Sequence, residues 1–328
     1  MTHATIELSG NNNRPEHHLD ALRRMQLVMG PVPDSTIRPE PTFRVLDEHH
    51  ENGLIKRKVQ FAVECDAQGE VTDWCPAWWL IPESATDGEP RAAVLCLHQT
   101  VRAGKDEPAG LTGNANLHYA LELARLGFVC FAPDYPRFGE YAIDPYAMGY
   151  ASATMKAIWN HSVAVDVLAA SPEVDPHRIG CIGHSLGGHN SLFVAAFDSR
   201  ISVAVSSCGF NQFTWNNDEG RGDTGDISDW SHDGYMPWIA QRFDNRAENM
   251  PFDFHDVLGA IAPRAIFVNA PEHDFMIADG VRETLRRVGE LFEPSHLQVV
   301  HPDCKHDFPD DARQAAYEFL RQHLAEGP

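Results

Sequence analysis

Ile179-Gly180-Cys181-Ile182-Gly183-His184-Ser185-Leu186-Gly187-Gly188-His189-Asn190-Ser191-Leu192-Phe193-Val194-Ala195-Ala196 is the most informative stretch of this chain. It reads as an apolar strand, a very sharp turn with serine at its apex, and an apolar helix. Glycine on both sides of the serine, two residues away each time, lets strand and helix pass closely and leaves the hydroxyl exposed in a strained turn. The Leu186 N–H, opening the helix, then points at whatever the hydroxyl attacks.

Outward from that turn the chain alternates. Apolar strands are expected at Ala92–Leu97, Phe128–Ala132, Arg178–Ile182, Ile201–Ser206, Ala265–Val268 and Leu297–Val300. Helices are expected at Asn116–Leu126, Ser152–Ala170, Leu186–Phe197, Asp279–Leu291 and Asp311–Leu324. Wholly apolar strands separated by helices imply an α/β architecture: a mostly parallel central sheet covered on both faces. Thr42–Glu48, Leu54–Glu64 and Ala77–Pro82 have no helices between them and predict antiparallel N-terminal edge strands. Before them, Leu19, Leu22, Met25 and Met29 mark an amphipathic helix from Glu16 to Met29, stopped by Gly30-Pro31. The domain reading is one unit over 1–328, with an N-terminal helical extension (1–42) and a cap-like insertion (209–262) that is polar and rich in Trp, Asp and Gly.

Composition narrows the function. A formal charge of −21 over 328 residues argues against nucleic acid or an anionic membrane surface as partner. Seven scattered cysteines without a Cys-x-x-Cys pair are expected to be reduced thiols in a cytoplasmic protein. Met1–Gly10 does not read as a signal peptide, and no apolar run is long enough to span a membrane. The pairs His17-His18 and His49-His50 lack matching ligands. The acids Asp218, Glu219, Asp223, Asp226, Asp229 and Asp233 lack calcium-loop spacing, so no metal is expected. No glycine-rich phosphate loop occurs, and no cofactor is expected.

A serine hydroxyl needs a base, and the base an orienting acid. After a turn of this kind the partners follow in the order acid, then histidine, beyond later strand ends. Strand Ala265–Val268 leads to Pro271-Glu272-His273-Asp274, which makes Asp274 the first candidate acid, with Glu272 and then Asp279 as alternatives. Leu297–Val300 leads to His301 and His306, of which His306, in the loop before the last helix, is the expected base. The second oxyanion donor is expected from His98-Gln99-Thr100: Thr100 N–H, with Gln99 as alternative and His98 structural. His184 is expected to point into packing, and His189 and Asn190 to be core or supporting residues. Trp215, Trp230 and Tyr235 are candidate substrate contacts.

Leu97-His98-Gln99-Thr100, Ala132-Pro133-Asp134-Tyr135-Pro136, Gly183-His184-Ser185-Leu186-Gly187-Gly188, Ala262-Pro263-Arg264 and His306-Asp307-Phe308-Pro309 together resemble the α/β-hydrolase superfamily. Within it they are similar to the dienelactone-hydrolase and acetyl-xylan-esterase-like branch, over about residues 50 to 325. The resemblance implies an α/β-hydrolase fold and a cofactor-free Ser185–His306–Asp274 hydrolase of carboxylic esters. A serine where dienelactone hydrolases carry cysteine favours esterase over lactonase. His-Gln-Thr replaces the commoner His-Gly pattern. Three other readings are a lactone hydrolase, a prolyl-oligopeptidase-like peptidase or amidase, and a non-catalytic binding protein on the same fold. The N-terminal helix leaves room for packing on a second copy of the chain.

Overall fold

The computed structural model describes residues 15–215 and 226–325. Nine strands form one sheet: β1 (Phe43–Glu51), β2 (Leu54–Cys65), β3 (Val71–Pro82), β4 (Arg91–Leu97), β5 (Val129–Pro133), β6 (Val174–His184), β7 (Ile201–Ser207), β8 (Ala265–Asn269) and β9 (Leu297–Val300), in the order β1-β2-β3-β5-β4-β6-β7-β8-β9. Pairings β1/β2, β2/β3 and β3/β5 are antiparallel, and all from β5/β4 to β8/β9 are parallel. This is the expected mostly parallel sheet with an antiparallel N-terminal edge.

Among the described residues eight α-helices cover it: α1 (Glu16–Met29), α2 (Tyr119–Arg125), α3 (Ala153–Ala169), α4 (Leu186–Phe197), α5 (Trp238–Phe243), α6 (Phe254–Ile261), α7 (Ala278–Val288) and α8 (Asp310–His323). One apolar core joins α1, α3, α4, α6 and α7 to one face; a second joins α2 and α8 to the other. The central strands are buried on both faces, which is why they read as continuous apolar runs.

The chain winds from β4 outward to β5, then crosses to the far side of β4 with β6. Open α/β sheets bind ligands outside the strand ends at such a reversal. Here that crevice lies where β4 runs into His98-Gln99-Thr100 and β6 into Ser185.

Two expectations need adjusting. The helix predicted from Asn116 starts at Tyr119, because Ala115–Leu117 forms a 3-10 turn capped by Asn114 and His118 leaves helical geometry at ψ 34°. Within the 209–262 segment, α6 belongs to the main helical layer. Its Phe254, Val257, Leu258 and Ile261 are buried, and a reciprocal capping box of Asp253 and Asp256 starts it. The N-terminal helix packs its apolar stripe on its own chain. Arg24 reaches Asp256 at 2.9 Å and the Pro251 carbonyl at 3.2 Å on α6 and its approach.

Arg264 ties the helix ends to the sheet. Its guanidinium donates to the carbonyls of Ala195 (2.7 Å), Ile201 (2.7 Å), Asp198 (3.1 Å) and Ile261 (3.1 Å). A cation at the C-termini of α4 and α6 satisfies carbonyls that helix geometry leaves open.

Two core histidines make stability sensitive to acid. Burial pushes both His161 on α3 and His189 on α4 down to about 3. In the unfolded chain they titrate near 6.5. The folded state therefore refuses protons that the unfolded chain accepts, so stability is complete above about pH 6.5 and lost as pH falls toward 3. Each histidine adds about 1.4 kcal/mol per pH unit to that slope. Urea unfolding between pH 7 and pH 4.5 should show a shallower slope for His161→Leu; an unchanged slope sinks the assignment.

Candidate active site

The elbow around Ser185 is built by four glycine contacts. A Cβ on Gly183 would stand 2.2 Å from the Gly187 carbonyl carbon, and one on Gly187 only 1.9 Å from Leu97 O. A Cβ on Gly188 would stand 2.6 Å from Ser207 O and 3.0 Å from the Gly209 Cα. No side chain fits at these positions, so the start of α4 lies directly on the ends of β4 and β7.

Ser185 is held at φ 52°, ψ −119°, a conformation that non-glycine residues rarely adopt. Its N–H donates to Ser207 O at 2.8 Å, and its carbonyl accepts from His189 N at 2.9 Å. Every residue from Ile179 to Asp198 is buried except Ser185. Backbone strain and selective exposure coincide on one hydroxyl.

The acid and base loops meet as chain order predicts. His306 Nδ1 lies 2.8 Å from Asp274 Oδ1, and the Asp274 side chain is fully buried. Oδ1 also accepts the Met276 N–H at 3.1 Å. Glu272 and Asp279 turn elsewhere, both onto Arg282. His301 points away too, with Nδ1 2.7 Å from Ala270 O. The structure therefore brings together the first candidates and separates the alternatives. Ser185 Oγ makes no hydrogen bond among the described residues; catalytic hydrogen bonds of this kind often tighten only with substrate present.

The first oxyanion donor follows from helix geometry. Leu186 is the first residue of α4, and its N–H has no intrahelical acceptor. The opposite wall is the His98–Thr100 loop. His98 Nε2 accepts Tyr135 N–H at 2.9 Å, so Nδ1 carries the proton and donates to Gln99 O at 2.6 Å. Burial lowers the His98 pKa and keeps the ring neutral in this bridging role. The Gln99 side chain is drawn aside to Glu107 at 2.9 Å, and Thr100 Oγ1 lies 3.3 Å from Tyr235 OH. Beneath the loop, fully buried Lys105 pairs with Asp134 at 2.9 Å and Glu140 at 2.7 Å, anchoring it to the segment after β5.

The three aromatic candidates separate. Tyr235 reaches the loop beside the elbow. Trp230 is only 3 % exposed and packs against His189, Phe213, Tyr235 and Phe254. It is a core residue of its segment and offers substrate no face, a correction to its expected role. Trp215 is half-buried and sits against Gly280 at the start of α7. Asp218, Glu219 and Asp223 lie outside the described residues, as does Met1–Gly10.

His184 of the elbow and several residues with no motif of their own surround the base. Phe275, 58 % exposed, stacks on the His306 ring at 4.3 Å. The His184 ring lies 4.7 Å from that of His306 on another side. His184 Nδ1 is 2.9 Å from Ser207 Oγ, and burial, then the nearby His306 charge, pushes its pKa well below the ordinary imidazole value. Cys208, at φ 52°, holds its thiol 3.5 Å from Asp307 O; burial and then the Asp274 charge push that thiol up. Asn269 donates to Ser207 Oγ at 2.8 Å and Asp307 O at 3.0 Å, stitching the end of β7 to the histidine loop. Only the strand ends they share could have pointed to them, because they come from the ends of β6, β7 and β8 and from the loop after β8.

Comparison with known proteins finds esterases. A glucuronyl esterase family of fungi matches residues 144–289. A 4-O-methyl-glucuronoyl methylesterase of Phanerochaete carnosa is 29% identical over 200 residues, covering 55% of this chain and 49% of that protein. The chain spans about half or less of the length of the glucuronoyl methylesterases it matches. Among solved structures, a glucuronoyl esterase from Solibacter usitatus superposes with a TM-score of 0.69 at 16% identity, over 94% of this chain and 92% of that one. Acetyl xylan esterase 1 from Thermoanaerobacterium sp. JW/SL YS485 gives 0.61 at 17%, over 97% and 96%. With its sheet order, its serine elbow and these likenesses, the chain is an α/β-hydrolase by fold, similar to the glucuronoyl and acetyl xylan esterases.

Proposed function

We propose that the protein is a serine hydrolase of carboxylic esters, and that the ester is one borne on a carbohydrate. The observation that carries the reading is the 2.8 Å contact of His306 with buried Asp274, its ring packed against His184, the residue before a strained, selectively exposed Ser185. The sugar-ester substrate class is supported by the relatives, whose names specify glucuronoyl methyl esters and acetylated xylan.

In this mechanism His306 Nε2 takes the Ser185 proton as Oγ attacks the ester carbonyl carbon. The carbonyl oxygen becomes an anion held by Leu186 N–H and a second donor from Thr100 or Gln99. Asp274 keeps the Nδ1 proton of His306 facing it and steadies the imidazolium. The C–O bond breaks, the alcohol leaves with the proton from Nε2, and an acyl-serine remains. Water, deprotonated by the same ring, then frees the acid and regenerates Ser185. Seven unpaired cysteines, six of them buried, support a cytoplasmic setting. Among the described residues no helix is long and apolar enough to cross a membrane.

A panel of acetylated xylo-oligosaccharides, alkyl esters of glucuronic acid, simple p-nitrophenyl esters, lactones and amides tests the reading. Sugar esters should give the highest kcat/KM. A lactone or peptide amide turned over faster than every ester overturns it.

A further inference from the structure

We propose that His184, Cys208 and His306 form a binding site for a thiophilic divalent cation of the zinc class, whose occupancy blocks Ser185. One ligand atom from each of the three lies within 4.8 Å of the other two. Two imidazoles and a thiol are the donor set zinc prefers, and three protein ligands leave a fourth position open. Ligand distances of roughly 2.0–2.3 Å put the donors of a tetrahedral ion about 3.3–3.8 Å apart, so the trio must close by at most about 1.5 Å. His306 sits on a loop and is the one partly exposed member of the trio, so the movement falls to it.

Both histidines already carry the outer contacts that orient metal-binding imidazoles. The Nδ1 of His306 is held by a carboxylate oxygen of Asp274, and that of His184 by Ser207 Oγ. The carboxylate fixes the His306 tautomer, and with each Nδ1 engaged, Nε2 is the nitrogen left for the ion. Ser207 Oγ is itself fixed by Asn269. Asp274 Oδ2 is buried and adds negative charge behind the site.

Binding replaces the Cys208 S–H bond with an S–metal bond and releases that proton to water; no electron changes hands. The ion occupies the lone pair with which His306 would take the Ser185 proton. The site is independent of the esterase reading, and only its inhibitory effect rests on that reading.

Titration of the full chain with Co²⁺ should give a one-to-one thiolate-to-cobalt charge-transfer band in the near ultraviolet, lost in Cys208→Ser. Zn²⁺ should abolish fluorophosphonate labelling of Ser185, with full recovery on chelation. Measured against each protein's own zinc-free rate, Cys208→Ser should need at least about tenfold more Zn²⁺ for half-inhibition. Should that variant not fold, His184→Gln carries the same comparison, and the spectrum of the unaltered protein stands alone. A cobalt complex without the thiolate band, or a band that survives Cys208→Ser, overturns the site. A band with undiminished labelling overturns the blocking role. Absent labelling in metal-free protein would fault the esterase reading, while the cobalt band still decides the site.

Discussion

Ser185→Ala is expected to lower p-nitrophenyl acetate turnover by about 10⁴-fold or more while leaving the fold intact. Circular dichroism and the urea midpoint should stay near those of the parent, because the hydroxyl makes no hydrogen bond among the described residues. Fluorophosphonate labelling should vanish with the activity. The loss is large because the covalent route ends with the nucleophile; what survives is the contribution of the oxyanion donors and binding. A variant retaining a tenth of the parent rate would remove Ser185 from the mechanism, and with it the reason for the strained elbow.

How far the chain disclosed this arrangement depends on whether the cause is local. The Ser185 elbow was legible because glycines 183, 187 and 188 answer to backbone crowding within a few residues and against two adjacent strands. Strand β4 was legible because burial on both faces demands a continuous apolar run. Asp274 and His306 were reachable through topology: loops after parallel strands emerge on one side of the sheet. Helix α6 escaped because eight residues hold too few turns for a clear period, although the Asp253/Asp256 capping box was present in the sequence.

The neighbours of His306 escaped for a different reason. Cys208 follows β7, Asn269 ends β8 and Phe275 lies in the loop after it, and nothing in their own flanking residues says that one imidazole gathers them. Trp230 shows the converse. Its composition suits a pocket wall, yet four aromatic neighbours supply a core that buries it. Amphipathic aromatics fit either place, and only packing decides.

Asp274→Asn should reduce kcat/KM for esters by about 10⁴-fold with little change in KM. An asparagine amide fits where the carboxylate stands, 2.8 Å from Nδ1, so the ring stays in place. With the amide oxygen at the Oδ1 position, where the Met276 N–H also donates, Nδ1 keeps its proton but the imidazolium formed during attack loses its counter-charge. With the amide nitrogen there, the imidazole proton moves to Nε2, and that nitrogen then has no lone pair with which to take the Ser185 proton. Glu272→Gln and Asp279→Asn provide the contrast. Both carboxylates pair with Arg282 at the surface, so each change should leave kcat/KM within about twofold. A profile in which Glu272→Gln is crippled and Asp274→Asn is not would transfer the acid's role to Glu272. It would also require the loop after β8 to turn over in the working enzyme.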